Sequence, residues 1–109
     1  ASMKERLANF LEILRAPHKA APILLVSRIR FARDVLNGDK GRKAAARFQR
    51  QLVERLRAAG DRNVHFLDGK TLLGAGFDEC TVDGVHATDL GFMRMADKMT
   101  PVIAGILRK

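Results

Sequence analysis

The chain has 109 residues, 47% of them hydrophobic and 29% charged, the composition of one small globular domain and not of a disordered tail. No apolar run approaches the roughly 20 residues needed to span a bilayer, no signal peptide is visible, and the single cysteine, Cys80, excludes an internal disulfide. The formal charge of +8 is local: residues 1 to 41 carry 8 basic and 4 acidic side chains, residues 42 to 63 carry 7 and 2, and residues 64 to 109 carry 5 and 6. A basic patch attracts phosphate or acidic surfaces. Nucleic acid is nevertheless not expected as a partner, because the chain has no Trp and no Tyr to stack bases and its phenylalanines are spaced as core. The excess reads as a solvated helix face that an acidic surface of a longer protein would balance.

In chain order, Met3 to Arg15 places Leu7, Phe10, Leu11 and Leu14 on one helical face, and Pro17 ends that helix by disfavouring helical geometry in the residue before it. Pro22 to Ser27 is a short unbroken apolar run, the pattern of a parallel strand buried on both faces. Arg28 to Gly41 holds Asn37-Gly38-Asp39 and no sustained period, so it reads as a loop. Arg42 to Ala59 sets Ala45, Phe48, Leu52, Leu56 and Ala59 against Lys43, Arg47, Arg50, Glu54 and Arg57, a helix that covers a sheet, with Gly60 as its C-terminal stop. Asn63 to Leu67 is a second short strand. Asp68 to Val82 contains three glycines and few core-like residues and is expected to run over the surface. Thr88 is placed to cap a last helix with the stripe Phe92, Ala96, Met99 and Ile103, widened by Met93, Met95, Val102 and Ile106, and Pro101 is expected to kink it. There are no repeats and no linker, so the chain is one domain.

Chemistry concentrates at Thr81-Val82-Asp83-Gly84-Val85-His86. An aspartate that accepts a hydrogen bond from one imidazole nitrogen fixes the tautomer and leaves the other nitrogen to act as a general base. The spacing alone is weak, because Asp-x-x-His is common.

The longer run Asp83-Gly84-Val85-His86-Ala87-Thr88-Asp89-Leu90-Gly91-Phe92, followed by Met93-Arg94-Met95-Ala96-Asp97, closely resembles the final block of SGNH (GDSL-like) serine hydrolases. The resemblance extends back through the run from Pro22 to Val26, the arginine-rich helix and Val64 to Leu67, in the family's order. It implies an α/β, flavodoxin-like SGNH hydrolase fold, of which residues 1–109 would be a single partial domain: the C-terminal half, with two parallel strands and three main helices. It also implies ester hydrolysis through a covalent acyl-enzyme, as in lipases and acylhydrolases, without metal or organic cofactor. Asp83 would orient His86, and His86 would be the general base for a serine.

Two departures matter. Ala87 stands where the family commonly carries proline. More important, the family's Gly-Asp-Ser block and the glycine and asparagine of its oxyanion hole are missing. The chain has only Ser2 and Ser27, and Gly38-Asp39 and Gly60-Asp61 are followed by Lys40 and Arg62. Ala1-Ser2 ahead of Met3 reads as a remnant of expression.

Ser27 ends a predicted strand and is a possible substitute nucleophile, but similar proteins put a non-catalytic polar residue there. Cys80, three residues before Asp83, reads as a small buried thiol more readily than as a Cys/His nucleophile. His18 and His65 lack metal-ligand spacing with His86 or Cys80. The expectation is thus a fragment that is inactive alone and acts on an ester only when the serine is supplied. One edge of the strand at 22–27 would stay open, which favours a homo-oligomer or association with an N-terminal half chain. The alternative is a non-enzymatic binding or assembly module derived from the same fold.

Overall fold

The computed structural model describes residues 3–108. Helix α1 (Met3–Arg15) buries Leu11 and half-buries Leu7 and Leu14, while Phe10 stays exposed. Its last residue locks it to the rest of the molecule: the Arg15 guanidinium donates to Asp61 Oδ2 at 2.9 Å and to the Asn63 carbonyl at 3.3 Å. Strand β1 (Ile23–Val26) and strand β2 (Val64–Leu67) pair in parallel, with Ile23 opposite Val64 and Val26 opposite Leu67. Because the strands are parallel, the chain must cross over between them, and helix α3 (Lys40–Ala58) is that crossover. The fold is therefore α/β, with three long helices as expected.

Three features depart from the sequence reading. The segment after β1 is not wholly loop: helix α2 (Asp34–Asn37) forms a single turn within it, and α3 already begins at Lys40. A four-residue helix has no room for the apolar period that would reveal it.

The segment from Asp68 to Val82 is not a surface loop poor in core residues. Through two 3-10 turns, Gly69–Thr71 and Phe77–Glu79, it buries Leu72, Leu73 and Cys80 completely and Phe77 nearly so, and Leu73, Phe77 and Cys80 form a cluster against which Ile29 and Met95 pack.

Helix α4 (Asp89–Leu107) does not bury the stripe its periodicity marks. Phe92 is 60% exposed and Ile103 39%, with Met93 and Leu107 exposed beside them, whereas Met95 meets the core and Gly91 is buried. The helix is unbroken through Pro101, and Thr88 caps it as expected, its side chain accepting from the Gly91 amide at 3.1 Å.

β1 is half-buried along its whole length, not buried on both faces, since among the described residues it has a neighbour on one edge only.

The carboxyl ends of the two strands are sewn together by a polar network. Asp68, just after β2, accepts from the Ser27 hydroxyl at 3.1 Å, from the Lys70 amide at 2.9 Å and from Arg42 Nη1 at 3.2 Å. Arg42, 4% exposed in the first turns of α3, also holds Asp39 through Nε and Nη2. Burial pushes the Asp68 carboxyl up, but the Lys70 amide, the Ser27 hydroxyl and the Arg42 charge outweigh it and hold its pKa below the ordinary 3.8. Gly69 is required here, because a Cβ at that position would collide with the Ser27 carbonyl.

Candidate functional site

The dyad loop is a short hairpin closed on itself. Thr81 and Ala87 form an isolated antiparallel bridge, the Val82 amide donates to the His86 carbonyl at 2.7 Å, and the Thr88 amide donates to the Cys80 carbonyl at 2.8 Å. Gly84 turns the tip with φ 89°, a left-handed conformation that a residue with a Cβ adopts only with strain. Gly91 lets α4 start against the base of the hairpin, where a Cβ would stand 2.6 Å from the Cys80 carbonyl oxygen.

Within this loop Asp83 Oδ2 lies 2.6 Å from His86 Nδ1. The other carboxylate oxygen, Oδ1, accepts from the backbone amides of His86 at 2.8 Å and Val85 at 3.0 Å. The His86 amide, then the His86 ring and the Val85 amide, hold the Asp83 carboxyl well below the usual carboxylate range, so it is ionised at neutral pH. An ionised carboxylate can only accept. The proton between the two groups therefore belongs to Nδ1, which leaves Nε2 as the ring nitrogen not engaged by Asp83. The side chains are open to solvent, 80% for His86 and 54% for Asp83, so Nε2 is free to receive a proton from a group brought alongside.

The other sequence candidates stand elsewhere. Ser27 is 3% exposed, and its hydroxyl is used twice: it donates to Asp68 and accepts from the Gly69 amide at 2.8 Å. That is a structural hydroxyl joining β1 to the turn after β2. Cys80 is fully buried, with its thiol 3.4 Å from Arg94 Nη1 and 3.5 Å from the Gly76 carbonyl, on the core side of the hairpin base. His18 is exposed in the turn after α1, and His65 lies half-buried in β2. Ser2 lies outside the described residues. Among the described residues no group of three or more His, Cys, Asp or Glu side chains is placed to hold a metal, and no helix is long and apolar enough to cross a membrane.

Two contributors escaped the sequence reading. The buried Arg42 looks in sequence like one more solvated arginine of a basic helix, and only the Asp39-x-x-Arg42 spacing hints otherwise. Arg33, in the loop after β1, donates its amide to the Gly84 carbonyl at 3.0 Å and its guanidinium to the Asp83 carbonyl at 3.4 Å. A contact between residues 50 apart leaves no local signal.

Residues 1–104 match the GDSL-like Lipase/Acylhydrolase family, nearly the whole chain. The chain belongs to this family. Among solved structures it is similar to a protein described as a GDSL-like lipase from Bacteroides ovatus, with 31% identity and a TM-score of 0.85 over 96% of this chain. It is also similar to a salicylyl-acyltransferase of a tetracycline biosynthetic pathway, with 26% identity and a TM-score of 0.73 over 94% of this chain. In both cases the match covers 32% of the other protein, so these 109 residues of a GDSL-like hydrolase span about a third of the length of the structures they match. No curated protein matches the chain significantly.

Proposed function

We propose that this chain is the C-terminal portion of an SGNH-type ester hydrolase domain and supplies the Asp and His of its Ser-His-Asp triad. The observation that carries the reading is the 2.6 Å contact between Asp83 Oδ2 and His86 Nδ1, with Nε2 turned to solvent. In the complete site, Nε2 of His86 takes the proton of a serine hydroxyl as the oxygen attacks the ester carbonyl, and Asp83 stabilises the imidazolium that results. The alcohol leaves with that proton. Water then attacks the acyl-enzyme with His86 again as base, releasing the acid and restoring the serine. Serine and oxyanion donors come from sequence outside these residues.

The 109 residues alone therefore turn over no short acyl ester, because a base without nucleophile and oxyanion hole lacks the largest catalytic contributions. The decisive experiment is a chimera in which residues 3–108 replace the matched third of the Bacteroides ovatus protein, assayed with p-nitrophenyl acetate. Activity that His86→Ala abolishes, together with an inert isolated chain, supports the reading. An isolated chain whose turnover survives in His86→Ala, or a folded but inert chimera, refutes it.

A second reading is favoured by the exposed Phe92, Met93 and Leu107 of α4 and by the open edge of β1: a module retained for assembly without catalysis, pairing with a second copy or with a separate N-terminal chain. Light scattering of the isolated chain separates the outcomes. A monodisperse particle of about 12 kDa that melts cooperatively would sink this second reading.

A further inference from the structure

Asp83 and His86 hold each other by local bonds, but those bonds say nothing about where the pair stands relative to the sheet. The loop from Val82 to Ala87 exposes Val82, Asp83 and His86, half-buries the rest and closes on itself. Among the described residues, the hydrogen bonds that tie its tip to the β1 end of the molecule come from Arg33: amide to the Gly84 carbonyl, guanidinium to the Asp83 carbonyl. The Arg33 side chain also lies along Gly84, its Cβ and Nε each 3.6 Å from the place a Cβ would occupy.

Arg33 can serve as an anchor only if its own segment is rigid, and that segment is braced at every step. Asp34 receives both arms of the Arg28 guanidinium, at 3.1 and 3.2 Å, and the Phe31 amide at 2.7 Å. Arg28 stacks on Phe31 with its guanidinium carbon 4.1 Å from the ring centre. Arg30 lies over Phe77 at 4.0 Å, and Ile29 packs against the cluster of Leu73, Phe77 and Cys80. Three arginines are thus distributed over one strap: Arg28 braces it internally through Asp34 and Phe31, Arg30 fastens it to Phe77 of the core, and Arg33 holds the dyad loop.

We propose that Arg33 is a positioning residue for His86, setting the distance and angle at which the dyad meets whatever stands at the carboxyl end of β1, with Asp34 as its brace. This rests on the reading of His86 as a general base. A base displaced by about 1 Å from its partner can cost up to a hundredfold in rate, so an anchor at the tip of a hairpin held at its base has a kinetic consequence out of proportion to its bonds.

The test has two arms, so that failure of this inference and failure of the triad reading are separable. In the isolated 15N-labelled chain, Arg33→Ala is expected to raise the backbone mobility of Gly84, Val85 and His86, and Asp34→Ala to do so to a smaller extent. The Nδ1 proton of His86 stays in its downfield position, because the Asp83 contact is local. Arg33→Lys, which keeps a donor for the Asp83 carbonyl, restores order. In the active chimera, Arg33→Ala lowers kcat about tenfold or more with KM changed less than threefold, and Arg33→Lys recovers most of it. Unchanged relaxation of residues 83–86 in Arg33→Ala would overturn the proposal whatever the chimera does. A loss of kcat that Arg33→Lys fails to rescue would also overturn it.

Discussion

Two aspartates organise this molecule, and they do opposite work. Asp68 sits where the strands end, receives Ser27, Lys70, Arg42 and Arg50, and has a side chain only 17% exposed. Asp83 sits at the tip of a hairpin, receives two backbone amides and one imidazole, and is mostly in water. Both carboxylates are held below their ordinary pKa by hydrogen bonds. What separates them is what remains available. Around Asp68 the Ser27 hydroxyl and the Arg42 guanidinium tie β1 and α3 to the turn after β2, so the network is a fastening. At Asp83 the bonds leave one nitrogen of His86 uncommitted, so the network has an open end.

The contrast is sharpest in stability. Arg42→Ala removes the buried guanidinium that Asp39 and Asp68 share and leaves them only the exposed Lys43 and Arg50. It is expected to destabilise the fold by about 3 kcal/mol, read as a lower urea midpoint with the m-value unchanged. A loss under about 1 kcal/mol would mean that water replaces the guanidinium and that the network is no fastening.

Acid supplies the next test. Because the folded pKa of Asp68 is depressed, its contribution is present above the ordinary value of 3.8 and is lost as pH falls through the lower folded value. Asp68→Asn should therefore be less stable than the parent at pH 7, and the gap should narrow as pH falls below 4. A gap constant from pH 7 to pH 3 would assign the effect to shape and not to charge.

Thr88 fixes the base of the hairpin to the last helix, since it caps α4 and bonds the Cys80 carbonyl. Thr88→Ala should cost about 1 kcal/mol, a typical cap, in the same urea titration. A loss above about 2 kcal/mol would make the hairpin base part of the core.

The smallest effect belongs to the His86 side chain. His86→Ala should leave the denaturation midpoint close to where it is, because the ring is exposed and the Thr81 to Ala87 bridge is backbone. A clear loss of stability in His86→Ala would erase the contrast drawn between the two aspartates.

The site was legible to the extent that it is local. Asp83 and His86 are three residues apart, and glycine at 84 makes the turn that brings them together, so the run from Asp83 to Phe92 carries almost the whole geometry of the pair. The cap at Thr88 was legible for the same reason. Helix α3 was readable by its period, but the Arg42 in its first turns was not, since an arginine gains burial only when distant aspartates are brought to it. The core segment from Leu72 to Cys80 was missed because irregular backbone repeats with neither the period of a strand nor that of a helix.

Amphipathic spacing and breakers, which depend on neighbours in the chain, marked three long helices and two short strands, and the run from Asp83 to His86 set the aspartate beside the histidine. The tertiary structure alone decided which apolar faces are covered, why Ser27 is unavailable and where the hairpin stands. Those outcomes depend on contacts between residues tens of positions apart, such as Ser27 with Asp68 and Arg33 with Gly84, and a linear pattern carries no record of a partner that only folding supplies.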